Sequence, residues 1–303
     1  MPQIEANGIT LEYDAHGDPS APPLLLVMGL GAQMTLWPME LVEALASRGF
    51  RVIRYDNRDI GLSHKCEGAK APGMLKLLLL SRFGFKPKVP YTLADMADDG
   101  IGLLDALGIE RAHVVGASMG GMIAQHMAFS HPERVISLTS IMSTTGHRKL
   151  PSGTKEAISV LTKRPSSMDE EVLVEHGLKV AHAIGSPAYR PDPDALRARS
   201  RALIRRSFYP AGMPRQFAAI VADGDRRERL RSVRAPTLVI HGEADPLVPV
   251  EGGIDTARHV PEAKLKTIPG MGHDLPLELV EEIADAVAAH AKEASGLAVP
   301  QPA

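Results

Sequence analysis

The sequence predicts an α/β fold, a mostly parallel sheet with helices on both faces that is interrupted once by a helical insertion. Two observations carry that expectation, and a third locates the interruption. Short β-rich apolar runs alternate with helical periodicity through the first half of the chain. One of those runs, Pro23 to Met28, is apolar throughout, as a strand buried on both faces requires. From about residue 144 to 232 strand-like alternation disappears, and it resumes at Pro236 to His241. The expected organisation is a core over 1–143, a helical insertion over 144–232 and the rest of the core over 233–303. The stretch from about residue 295, with Pro300 and Pro302, reads as a disordered tail.

Each element has its own signal. Residues 9–14 alternate apolar and polar, as a half-exposed early strand does. After the buried run 23–28 a helical pattern covers 38–48 and closes at Gly49, followed by a strand at Arg51 to Tyr55. Over 92–108, Leu93, Met96, Ile101, Leu104 and Leu107 recur at helical spacing, and Gly108 ends the pattern. A strand over 111–115 runs directly into Gly116-Ala117-Ser118-Met119-Gly120-Gly121, then a helix through 122–131 that stops at Pro132. Strands follow at 134–141, 236–241 and 264–268, and an amphipathic helix at about 277–291.

Composition narrows the function classes. A chain of 303 residues is long enough for one large core with a smaller insertion. Its formal net charge of -2 argues against nucleic acid as the main partner. The single cysteine, Cys66, cannot close an internal disulfide and reads as a small packed residue. No signal-peptide pattern opens the chain, and no apolar run nears the roughly 20 residues of a membrane span. A cytoplasmic protein without a membrane partner is the expectation. No His, Cys or carboxylate cluster has metal-ligand spacing and no glycine-rich phosphate loop is present, so neither metal nor cofactor is expected. Oligomeric state leaves no signal in the sequence.

Gly116-x-Ser118-x-Gly120 lies between a buried-strand pattern and a helix pattern. A serine on such a turn exposes its Oγ at the end of a sheet, beside the free N–H groups of a helix start. Ser118 is therefore the candidate nucleophile. A second donor for a developing oxyanion usually comes from the loop after the first central strand, here Met28-Gly29-Leu30-Gly31. The backbone N–H groups of Leu30 and Met119 form the expected oxyanion hole. Of 12 histidines, His273 stands on a glycine-lined loop, Gly270-Met271-Gly272-His273, just after the last strand. It is the candidate general base. His126 and His131 lie on the helix after Ser118 and should point away, while His241 should pack at a strand end. The orienting acid must follow a strand between nucleophile and base. Asp245 is favoured there because Pro246 restricts its backbone, with Glu243 as the rival.

With the segments MGLG, YDNRDIGLS, GASMGG, HGEADPLVP and GMGH in this order, the chain resembles the α/β-hydrolase superfamily from about residue 4 to 292. The longer form VMGLGAQMTLWP with VIRYDNRDIGLS is similar to bacterial carboxylesterases that include aclacinomycin methylesterases. The resemblance implies an eight-stranded sheet, a helical cap, no cofactor and a small-molecule ester substrate. Where the superfamily usually carries a His before the oxyanion glycine, this chain has Met28, a change that should alter loop packing only. Serine at the elbow speaks against the dehalogenase and epoxide hydrolase branches, which use Asp, and the absent Trp against proline iminopeptidases. Cofactor-free perhydrolases, lactonases and C–C hydrolases share the triad and stay open, as does a binding-only member of the fold. The apolar run Met74 to Phe85 reads either as core packing or as a wall of an acyl pocket containing Leu79 and Phe83 beside Met28, with membrane-surface attachment a lesser reading. The arginine-dense stretch from 197 to 231 reads as a solvated helical face rather than an anion site.

Overall fold

The structure, a computed structural model, describes residues 2–73, 76, 77, 79, 80, 85, 87–163 and 165–296. The tail beyond 296 and several residues of the 74–85 run, Phe83 among them, lie outside the described residues. The strands are β1 (Gln3–Ala6), β2 (Ile9–His16), β3 (Pro23–Val27), β4 (Arg51–Tyr55), β5 (Ala112–Ala117), β6 (Val135–Ile141), β7 (Thr237–Gly242) and β8 (Lys264–Ile268). They form one eight-stranded sheet in the order β1-β2-β4-β3-β5-β6-β7-β8. β1 and β2 pair antiparallel, as do β2 and β4, and every later pair is parallel. Asn7 and Gly8, both at positive φ (51° and 74°), turn the first hairpin as an Asn-Gly pair does. β1 is an addition to the sequence reading, because four residues carry too little alternation to announce a strand.

The continuous apolar runs follow from burial on both sides. In β3, Leu24 and Leu26 pack under one face with α1 (Met39–Ser47) and α10 (Val280–Ala294). Leu25 and Val27 pack under the other with α2 (Leu93–Ala106) and α3 (Met119–Ser130). Each such fully buried leucine contributes about 1.5–3 kcal/mol of transfer free energy. The start of α2 is set by a capping box: Thr92 Oγ1 accepts from Asp95 N at 3.2 Å, and the Asp95 carboxylate accepts from Thr92 N at 2.7 Å.

Between β6 and β7 the described residues hold helices and no strand: α4 (Lys155–Thr162), α5 (Glu170–Ile184), α6 (Pro193–Arg206), α7 (Gly212–Asp223) and α8 (Arg227–Leu230). A further helix, α9 (Glu251–His259), follows β7. The arginines of this region only partly fit a solvated face. Arg197, Arg201 and Arg205 do sit outward, paired with Glu175, Glu170 and Glu171. Arg206 instead reaches the fully buried Asp56 at 2.7 Å, and Arg226, 1% exposed, holds Asp223, Gln125 and the Thr144 carbonyl. Arg215 grips buried Asp59 through two contacts of 2.7 Å. Buried carboxylates need a counter-charge, and these arginines supply it while tying the helices to the core. Periodicity registers charge but not which charged residues find a buried partner.

Candidate active site

The chain leaves β3 toward β4 on one side, while β5 lies on the other side of β3. The carboxyl ends of β3 and β5 thus flank the point where the strand order reverses, where open α/β sheets leave a crevice. Ser118 follows β5 at that point, with φ 57° and ψ −121°. A left-handed backbone on a non-glycine residue costs about 1–3 kcal/mol and persists only where its surroundings enforce it. The flanking glycines show that enforcement. A Cβ on Gly116 would stand 2.1 Å from the Gly120 carbonyl oxygen, and one on Gly120 only 2.0 Å from that of Val27. Ser143 Oγ donates to the Ser118 carbonyl at 2.8 Å and steadies the turn from β6's end.

Loops after β7 and β8 bring the other two candidates to the serine. His273 Nε2 lies 2.9 Å from Ser118 Oγ, and its Nδ1 lies 2.7 Å from Asp245 Oδ2. The second carboxylate oxygen, Oδ1, accepts from Leu247 N at 2.9 Å and Val248 N at 2.8 Å, which locks its rotation. Burial alone would raise the Asp245 carboxyl. The His273 charge and hydrogen bonds from His241, His273 and Val248 N outweigh it and hold the group at about 2. An ionised Asp245 keeps the imidazole proton on Nδ1, so Nε2 presents its lone pair to the serine hydroxyl.

The rival acid is elsewhere. Glu243 is exposed and accepts from Thr267 Oγ1 at 2.8 Å. His126 pairs with Asp223 at 2.9 Å and His131, at the far end of α3, with Asp98 at 2.8 Å. His241 is fully buried and meets the Val248 carbonyl at 2.8 Å, close behind Asp245. Asp245→Asn is expected to lower kcat by roughly 10²–10⁴ through loss of tautomer control, with Glu243→Gln nearly silent. Steady-state kinetics on the two variants check the choice, and a reversed order would transfer the role to Glu243.

The loop after β3 closes against the serine. A Cβ on Gly29 would lie 3.0 Å from Ser118 Cβ and 3.4 Å from its Oγ. In this loop Ala32 N donates to the Gly29 carbonyl and Gly31 N to Gln216 Oε1, whereas Leu30 N has no partner among the described residues. Met119 N, first in α3, has no acceptor within its helix either. Both expected oxyanion donors are thus uncommitted. Met28 is buried in the cluster under α1, with its carbonyl accepting from Asn57 Nδ2 at 2.8 Å. Leu79 is half exposed, unlike its buried neighbour Leu77.

Three supports escaped the sequence. Gln216 on α7 holds the loop after β3, Thr154 N ahead of α4 donates to the Pro246 carbonyl beside Asp245, and Ser186 holds the His273 loop. Ser186 Oγ donates to Asp274 at 2.5 Å and accepts from Gly272 N at 2.7 Å, while His273 N donates to the Ile184 carbonyl. All come from or next to the helical insertion, where no motif marks them. Among the described residues no group of three His, Cys, Asp or Glu side chains is arranged to hold a metal ion. None of the described helices is long and apolar enough to cross a membrane.

A family model of the alpha/beta hydrolase fold matches residues 22–278. The chain belongs to that family and is a hydrolase. It is 30% identical over 321 residues to the rhodomycin D methylesterase of Streptomyces peucetius, covering 96% of this chain and 98% of that one. It is 28% identical over 258 residues to 3-oxoadipate enol-lactonase 1 of Acinetobacter baylyi, covering 84% and 82% of the two chains. The crystal structure of the enol-lactonase from Burkholderia xenovorans LB400 shares its fold, with a TM-score of 0.72 at 23% identity over 95% of this chain and 99% of that one.

Proposed function

We propose that this hydrolase is a serine carboxylic ester hydrolase, acting through an acyl-enzyme on a small to medium, largely apolar ester. The observation that carries the reading is the unbroken relay from Asp245 through His273 to Ser118, with contacts of 2.7 and 2.9 Å. In the first half-reaction Ser118 Oγ attacks the ester carbonyl while His273 Nε2 takes the hydroxyl proton. The N–H groups of Leu30 and Met119 stabilise the oxyanion. Collapse of the tetrahedral intermediate breaks the acyl–oxygen bond, and His273 gives its proton to the departing alkoxide. Water then repeats the cycle on the acyl-enzyme, releases the acid and restores Ser118.

The helical insertion over 144–232 acts in this reading as the cap that shapes the pocket, together with Leu79. The relative named as a methylesterase supports an ester; the relative named as an enol-lactonase supports a second reading, a lactone, which the same acyl transfer would open. A panel of nitrophenyl esters of rising acyl length, run beside lactones and a peracid assay, tests both. If Leu79 walls the acyl pocket, each added CH₂ gains up to about 0.8 kcal/mol until the pocket fills, so kcat/KM climbs and then falls. Leu79→Asn flattens the climb and spares acetate esters. A flat profile with faster peracid formation or lactone opening would replace the ester reading.

A further inference from the structure

Gln216 is fully buried, although it belongs to the inserted helix α7 rather than to the sheet. Both ends of its amide are used. Oε1 accepts from Gly31 N at 2.9 Å and Nε2 donates to the Arg58 carbonyl at 2.9 Å. The residue therefore bridges the loops after β3 and β4 from a third element. Neighbouring contacts reinforce the site: Met213, one turn earlier on α7, leaves a Cβ on Gly31 only 3.4 Å from its Cγ. Gly212 is pressed so closely to Asp59 that a Cβ there would meet its carbonyl oxygen at 2.1 Å.

The consequence follows from peptide geometry. The Gly31 N–H belongs to the rigid plane that joins residues 30 and 31, so holding it restricts the backbone on the far side of Leu30. Gly31 itself sits at φ 68°, where a glycine resists turning least. Without that acceptor this plane loses a tether, and the Leu30 N–H on the adjoining plane would shift with it. With Gln216 in place the Gly31 N–H is consumed and the Leu30 N–H is left over for the substrate.

We infer that Gln216 is a positioning residue of the oxyanion hole, by which the helical insertion, beyond covering the pocket, sets the geometry of the catalytic loop. The inference rests on the ester-hydrolase reading with Leu30 as a donor. Its test uses Gln216→Met, which removes both hydrogen bonds, and Gln216→Glu, which keeps an acceptor for Gly31. Active sites are titrated with a fluorophosphonate, so misfolded protein does not count. For Gln216→Met, kcat on 4-nitrophenyl acetate is expected to fall about 10²-fold per titrated site while KM stays within about threefold. Inhibition by a trifluoromethyl ketone, which forms a tetrahedral adduct on the serine, weakens by a similar factor. Binding of a planar amide analogue does not change. Gln216→Glu recovers a large part of kcat, since the Gly31 contact survives. Turnover per titrated site within twofold of wild type in Gln216→Met would overturn the inference, as would an unchanged ketone affinity. A wild type that neither hydrolyses esters nor labels at Ser118 would overturn the underlying reading as well.

Discussion

Ser118→Ala is expected to abolish ester turnover and leave the fold intact. The substitution removes only Oγ, and the alanine keeps the backbone that β5, α3 and the Val27 carbonyl hold in place. What remains is a positioned His273 with the two backbone donors, worth a residual rate of roughly 10³–10⁴ over the uncatalysed reaction. A fluorophosphonate should label wild type at Ser118 and fail to label the variant. Labelling at another serine would move the nucleophile elsewhere. A companion substitution separates chemistry from strain. Ser118→Gly is equally inactive, but glycine adopts φ 57° without penalty. After its greater unfolded-state entropy is deducted, it should be more stable than Ser118→Ala by about 1 kcal/mol. Equal stabilities would mean that the elbow carries no strain.

How much of this was legible in advance depended on what kind of interaction each residue makes. β3 was readable because burial on both faces demands an unbroken apolar run, which few other structures need. Ser118 was readable because close backbone approach at Gly116 and Gly120 forces glycine at fixed offsets from it. His273 and Asp245 were readable from their places after strands, since a parallel sheet gathers those loops at one edge. The supports were not. Gln216 and Ser186 act through side-chain hydrogen bonds to residues far off in sequence, 185 positions away for Gly31 and 86 for Gly272. A buried polar residue on a helix looks the same in sequence as an exposed one. The arginines show the same limit from the other side. Arg201 and Arg206 lie one and a half turns apart on α6, yet one pairs at the surface and the other reaches buried Asp56.

His273→Ala is expected to be as damaging as Ser118→Ala, within about tenfold, and the double variant no worse than either alone. Among the described residues the serine hydroxyl meets His273 and no other base, since Glu243 faces Thr267 and His241 lies behind Asp245 against the Val248 carbonyl. On the proposed mechanism nucleophile and base act as one unit, so losing either removes the same step. The pH dependence distinguishes the base from its acid partner. Asp245 sits at about 2, below the ordinary 3.8 of an aspartate. Its pairing stabilises the fold fully above the ordinary value and is lost as pH falls through about 2. Over mildly acidic to neutral pH its charge is constant. Only a neutral ring accepts the serine hydroxyl's proton, so activity is expected to be higher at neutral than at acidic pH while the Asp245 charge stays the same. Independent, multiplying losses in the Ser118→Ala, His273→Ala double variant would separate the base from the nucleophile.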